Sequence, residues 1–191
     1  MPRQGESGYV VAIGGSAGAL DAVRELIDGL PRDLDAPIVV AIHGDSTSQL
    51  SEILQALCPL PVRKVTDGET LQPGWIYVVP GATHALFKDK QIRLSELVED
   101  SGFRPSIDAL FMTLASEYGD KAVGVVLSGT MNDGMRGAQI IYDMGGQTIV
   151  QDPETASFQS MPRMVINADH PRQILAAREL GVWLGELIGQ S

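Results

Sequence analysis

Ser16, His43 and Asp133 are the residue types from which a serine nucleophile is assembled, and each one follows an apolar run. A serine hydroxyl is almost wholly protonated at neutral pH, so it attacks a carbonyl only if a neighbouring base takes its proton. Histidine is the usual base, and a carboxylate must hold the imidazole in one tautomer and stabilise its charged form. Ser16 lies in Gly14-Gly15-Ser16-Ala17-Gly18, a literal G-x-S-x-G in which glycines permit a sharp turn that lifts the hydroxyl out of a sheet. The next amide, that of Ala17, would face outward at a helix N-terminus, where an N–H can stabilise a developing oxyanion. The chemistry these residues suit is nucleophilic acyl transfer.

Each residue also has a plainer reading. A serine before a helix commonly serves as its N-cap. A glycine-rich strand-to-helix turn can cradle a phosphate, although the third glycine of G-x-G-x-x-G is missing here and His43 stands where a ribose-binding acid would be expected. A histidine after a strand is often structural, and Asp133 in Asn132-Asp133-Gly134 is a good turn or capping residue. The coincidence of all three after strands favours an enzyme. A binding module that keeps the fold without the activity, and a phosphate binder at Gly14 to Gly18, stay open.

The elements that must position these residues follow from periodicity. Tyr9 to Ile13 and Ile38 to Ile42 are short apolar runs. Each is followed by a helical pattern, first Leu20, Val23, Leu26, Ile27 and Leu30, then Leu50, Ile53, Leu54 and Leu57. Strand, helix, strand, helix is the signature of a parallel sheet covered by helices. The middle of the chain reads differently. Val62 to Val65, Trp75 to Val79, Leu86-Phe87 and Ile92 to Leu94 are short, with turns at Asp67-Gly68 and Lys88-Asp89-Lys90, and predict an antiparallel hairpin edge. Helical spacing resumes over Ser106 to Tyr118. Ala122 to Leu127 is a nearly unbroken apolar strand, expected to be buried on both faces. A helix over Met135 to Met144, a strand over Thr148 to Gln151 and a last helix from about Arg172 to Ile188 complete the pattern. The predicted fold is α/β, a doubly wound, mainly parallel sheet of about seven strands with helices on both faces, forming one domain over residues 1–191. In such sheets ligands bind beyond the carboxyl ends of the strands, where Ser16, His43 and Asp133 fall.

Composition narrows the function classes. The 14 basic and 24 acidic residues give a net charge of -10, which argues against nucleic-acid binding and against attraction to anionic lipid. The single cysteine, Cys58, excludes an internal disulfide and multi-cysteine zinc sites. No apolar run reaches the roughly 18 residues of a membrane span, and the N-terminal stretch lacks a signal-peptide core, so a cytoplasmic location is expected.

Several segments, taken in order from about Tyr9 to Ala177, resemble the catalytic domain of CheB-type protein-glutamate methylesterases. They are Val11 to Gly18 around the serine, Val40-Ala41-Ile42-His43, Pro80-Gly81-Ala82-Thr83-His84, Arg104-Pro105-Ser106-Ile107-Asp108-Ala109-Leu110-Phe111, Gly124 to Gly134, Gly146 to Asp152, and Met161-Pro162-Arg163. The resemblance implies hydrolysis of γ-glutamyl methyl esters on the cytoplasmic helices of chemoreceptors, releasing methanol, with glutamine deamidation in some members. It implies Ser16 as nucleophile, His43 as base and then acid, and Asp133 as orienting carboxylate, with no metal or organic cofactor. It places Ala17, Thr130, Met131, His84 and Arg104 around the oxyanion and substrate. Separate response-regulator or methyltransferase proteins are further candidate partners. An N-terminal receiver domain is not expected, since about eight residues precede the first strand. Three departures stand out. Ala17 replaces a common threonine, Gly129-Thr130-Met131 replaces Gly-Met-Gly, and the residues after His43 lack the usual proline and phenylalanine. A β-carbon at Met131 would oppose a positive φ there.

Overall fold

The computed structural model describes residues 7–44, 49–96 and 102–190. Four short apolar runs form the middle of a parallel sheet. They are β1 (Val10–Gly15), β2 (Ile38–Ile42), β5 (Ile76–Val78) and β8 (Ala122–Val126). With β3 (Val62–Lys64), β9 (Gln147–Gln151) and β10 (Gln173–Leu175) they make seven strands in the order β10-β9-β8-β1-β2-β5-β3, all parallel. The chain winds outward from β1 to β2 and then returns to β8 on the other side of β1. The topological switch therefore lies between β1 and β8.

The central strands carry apolar residues on both faces because helices cover both. Val11 and Ile13 of β1, with Ile38, Val40 and Ile42 of β2, face α1 (Ala19–Gly29), α2 (Leu50–Leu57) and α6 (Ala177–Gly189). Val10, Ala12, Val39 and Ala41 face the opposite layer of α3 (Ile107–Tyr118), α4 (Met135–Asp143) and α5 (Ser160–Ala168). This alternation accounts for the unbroken apolar runs, and the two resulting cores account for the stability of the sheet.

Antiparallel pairing is present, but in a sheet of its own. β4 (Glu69–Thr70), β7 (Gln91–Ser95) and β6 (His84–Lys88) form a three-stranded sheet rather than an edge of the large one. Ala85, Phe87 and Ile92 pack it onto the α3 layer, and the Phe87 amide donates to Thr113 Oγ1 at 3.0 Å. Val62 to Val65 and Trp75 to Val79, grouped with the hairpins by their length, instead supply the parallel strands β3 and β5. Two further elements depart from the expected pattern. Residues 160–168, for which the sequence pattern predicts no element, form α5, with Pro162 in its first turn, where a missing N–H costs nothing. The last helical pattern, expected from about Arg172, divides into β10 and α6.

Candidate active site

The strand order sets β8, β1 and β2 side by side, so the residues leaving their carboxyl ends are neighbours. The pairing continues beyond the strands. Leu127 N donates to Gly14 O at 2.9 Å, Ser16 N to Ser128 O at 3.0 Å, and His43 N to Gly15 O at 3.0 Å. These bonds fix the backbone at Ser16 and His43 relative to each other before any side chain is considered.

Ser16 is not a helix cap. The N-cap of α1 is Gly18, at φ 73°, with no side-chain capping bond, while the Ser16 carbonyl accepts from Ala19 N at 3.0 Å. The glycines around the serine serve close packing rather than an open cradle. A β-carbon on Gly18 would stand 2.8 Å from both Ser128 Oγ and Ser157 Cβ, and one on Gly14 would stand 2.4 Å from Ile107 Cγ2. Ser128 ties the turn down, donating its hydroxyl to Ala17 O at 2.8 Å and accepting from Phe158 N at 3.0 Å. Gly129 has a similar reason. A β-carbon there would stand 3.0 Å from Ser16 Cβ and from the end of the Met161 side chain, a tight contact that glycine avoids.

His43 and Asp133 form a direct pair. Nε2 of His43 lies 2.8 Å from Asp133 Oδ2, and Asp133 is 2% exposed, so water does not compete for the bond. The same carboxylate accepts from Ile107 N at 2.6 Å on Oδ2 and from Asp108 N at 2.8 Å on Oδ1. These are first-turn amides of α3, whose orphan N–H groups and positive dipole end suit a carboxylate. A carboxylate that accepts on every side requires His43 to donate, which puts the proton on Nε2 and leaves the lone pair on Nδ1. Nδ1 is buried and has no hydrogen-bond partner among the described residues. The imidazole plane is held from one face by Phe103, with ring centroids 4.6 Å apart and planes 5° from parallel.

The remaining residues singled out from sequence fall in three places. Ala17 is half-buried at the start of the α1 turn. Thr130 and Met131 are exposed on the loop between β8 and Asp133. The positive-φ non-glycine residues among those described are Ala82, Asp89 and Lys90, so Met131 meets no such strain and its loop does not need the missing glycine. His84 is buried, and its Nδ1 accepts from Ser106 N at 3.2 Å, which supports the residue that caps α3 through Ala109 N. Arg104 donates to Glu96 O at 3.1 Å. Residues 45–48, the segment after His43 that departs from the family pattern, lie outside the described residues. Phe103 and Asp108 were not singled out from sequence, although both belong to or adjoin the Arg104-to-Phe111 segment. Among the described residues no cluster of three or more His, Cys, Asp or Glu could hold a metal ion, and no helix is long and apolar enough to cross a membrane.

A glycine-tight turn carrying a serine, on the strand end next to that of a histidine–aspartate pair, stands at the carboxyl edge of the parallel sheet of a doubly wound α/β protein. The particular family follows from comparison, since the CheB methylesterase family model matches residues 11–184, and the chain belongs to that family. The crystal structure of the Thermotoga maritima CheB methylesterase catalytic domain superposes with a TM-score of 0.89 at 31% identity, covering 94% of this chain and 98% of that one. A Leptospira interrogans protein, provisionally named protein-glutamate methylesterase/protein-glutamine glutaminase, is 35% identical over 89% of this chain and 90% of its own. The protein-glutamate methylesterase/protein-glutamine glutaminase of Moorella thermoacetica is 38% identical over 83% of this chain but only 39% of its own longer chain.

Proposed function

We propose that this chain is a protein-glutamate methylesterase whose nucleophile is Ser16, whose base is His43 and whose orienting carboxylate is Asp133. The observation that carries the reading is the division of labour on His43. Nε2 is committed to a buried carboxylate, while Nδ1 keeps an uncommitted lone pair, bonded to no described residue, at the end of the strand that neighbours the one leading into Ser16. In the proposed reaction Ser16 Oγ attacks the γ-carbonyl carbon of a methylated glutamate as His43 Nδ1 takes the hydroxyl proton. The resulting oxyanion is met by the Ala17 amide, with the loop carrying Thr130 and Met131 closing the same side. Collapse breaks the carbon–methoxy bond, and His43 returns the proton to the leaving oxygen, so methanol departs and a glutamyl–serine ester remains. Water then attacks that ester, with His43 again accepting a proton and delivering it to Ser16 Oγ. The product is a free glutamate side chain. Glutamine follows the same path with ammonia as the leaving group, the second activity carried in the relatives' names.

The substrate proposed is the methylated cytoplasmic helix of a chemoreceptor, and the location accordingly cytoplasmic. Residues 1–191 would act as one catalytic domain, with His84 and Arg104 shaping the substrate side through the segment that leads into α3. Separate response-regulator or methyltransferase proteins are the partners proposed for its control.

Covalent labelling tests the assignment independently of substrate. A serine-reactive fluorophosphonate should modify Ser16, located by peptide mapping, and labelling should vanish in Ser16→Ala and fall sharply in His43→Ala. Modification of another residue, or labelling indifferent to His43, would overturn it.

A further inference from the structure

We infer that Asp108 is a positioning residue for the catalytic pair, acting through a reciprocal brace with Asp133; this rests on the function proposed above. Asp133 accepts from the amides of Ile107 and Asp108 at the start of α3. Asp108 returns the arrangement. Its Oδ1 accepts from Gly134 N at 3.0 Å and Gly137 N at 2.8 Å at the start of α4, and its Oδ2 accepts from Arg136 Nε at 2.8 Å. Each aspartate therefore satisfies orphan amides of the helix that carries or follows the other. Asp108 is 3% exposed, so its bonds to the two glycine amides, like those of Asp133, are made away from water, while its Arg136 partner reaches solvent.

The packing is built to let this happen. Gly134 sits at φ 98°, and a β-carbon there would come within 2.9 Å of Ile107 Cγ2. A β-carbon on Gly137 would come within 3.0 Å of Asp108 O and 2.5 Å of Phe111 Cβ. Both glycines allow α4 to approach α3 closely enough for one carboxylate to reach two amides. Asp133 is the residue immediately before Gly134, so the Asp108 bond to Gly134 N bears on the peptide that anchors the catalytic carboxylate. Loosening that bond lets Asp133 shift. With it moves the Nε2 bond that fixes the His43 tautomer, while nothing that touches substrate is altered.

The test separates this role from helix capping alone and from failure of the functional reading. The His43 imidazole N–H proton is observed by NMR in 15N-labelled protein, which needs no substrate, and kcat and KM are measured on a methylated receptor fragment. In Asp108→Ala the resonance should shift or broaden and kcat should fall about 10- to 100-fold with KM unchanged, as expected for misplacement of a catalytic group by a fraction of an ångström. Asp108→Asn keeps one acceptor oxygen, so both effects should be present but smaller, and it serves as the measurement if Asp108→Ala does not fold. A folded variant with an unmoved His43 resonance, or with kcat within twofold of wild type, would overturn the inference. Absence of wild-type turnover would count against the proposed function, and the resonance would still decide the role of Asp108.

Discussion

His43 is the base in the proposed reaction, and its geometry makes demands that mutants can check. The proton on Nε2 is assigned by a carboxylate that can only accept. Asp133→Asn offers an amide in place of one acceptor and permits the opposite tautomer, which would place a proton on Nδ1, the nitrogen proposed to take the Ser16 proton. Turnover in Asp133→Asn should drop about 10³-fold or more while the protein stays folded, read as kcat against the thermal midpoint. An activity within tenfold of wild type would mean that Asp133 does not set the tautomer. Phe103 makes a gentler demand. Its ring lies flat on the imidazole, so Phe103→Ala should lower kcat several-fold, and Phe103→Tyr, which keeps the ring, should restore it. Ser16, His43 and Asp133 were visible in the sequence as candidates because Ser16 and His43 close apolar runs and Asp133 follows one across a short polar turn. Phe103 was not, because ring stacking between residues 60 positions apart leaves no local pattern.

At the scale of elements, the turn from β1 into α1 has the tightest requirements. Gly18 combines a left-handed backbone with neighbours on every side that a β-carbon would meet. Gly18→Ala should therefore cost about 1–3 kcal/mol of unfolding free energy, measured by urea denaturation. A neutral substitution would mean the turn relaxes without strain. The G-x-S-x-G pattern made this turn visible from residues alone, as the unbroken apolar runs made β1, β2 and β8 visible. The partner sheet for the hairpin was not legible, since strand pairing at such distance depends on which face of α3 accepts Phe87 and Ile92. α5 and β10 were hidden in the sequence, since nine and three residues with few buried positions leave too weak a local pattern beside their neighbours. The Asp108–Asp133 brace was equally hidden, because only the packing of α3 on α4 brings the two carboxylates to each other's helices.

Over the whole molecule the site occupies one end of the sheet, and the opposite end carries a group that should control stability rather than catalysis. Asp169 follows α5, is 8% exposed, and neither carboxylate oxygen has a hydrogen-bond partner among the described residues. Burial pushes its carboxyl above the usual range, an effect that the His170 amide and imidazole and the Thr148 hydroxyl, near it but outside good hydrogen-bond geometry, only partly offset. A carboxyl raised in the folded state binds its proton more tightly there than in the unfolded chain. Its penalty is therefore absent below the ordinary carboxylate range and grows as pH rises through the folded group's pKa. Asp169→Asn should be more stable than wild type at neutral pH, and the difference should shrink as the pH is lowered towards about 4, followed as urea midpoints. A difference independent of pH would assign the effect to packing instead.

The most direct test of the account is methanol release from a methylated chemoreceptor cytoplasmic fragment, comparing wild type with Ser16→Ala in the presence of an active methylesterase as control. The account predicts release by the wild type that disappears with the Ser16 hydroxyl. Equal release from both proteins, or none from the wild type while the control enzyme releases methanol, would contradict it.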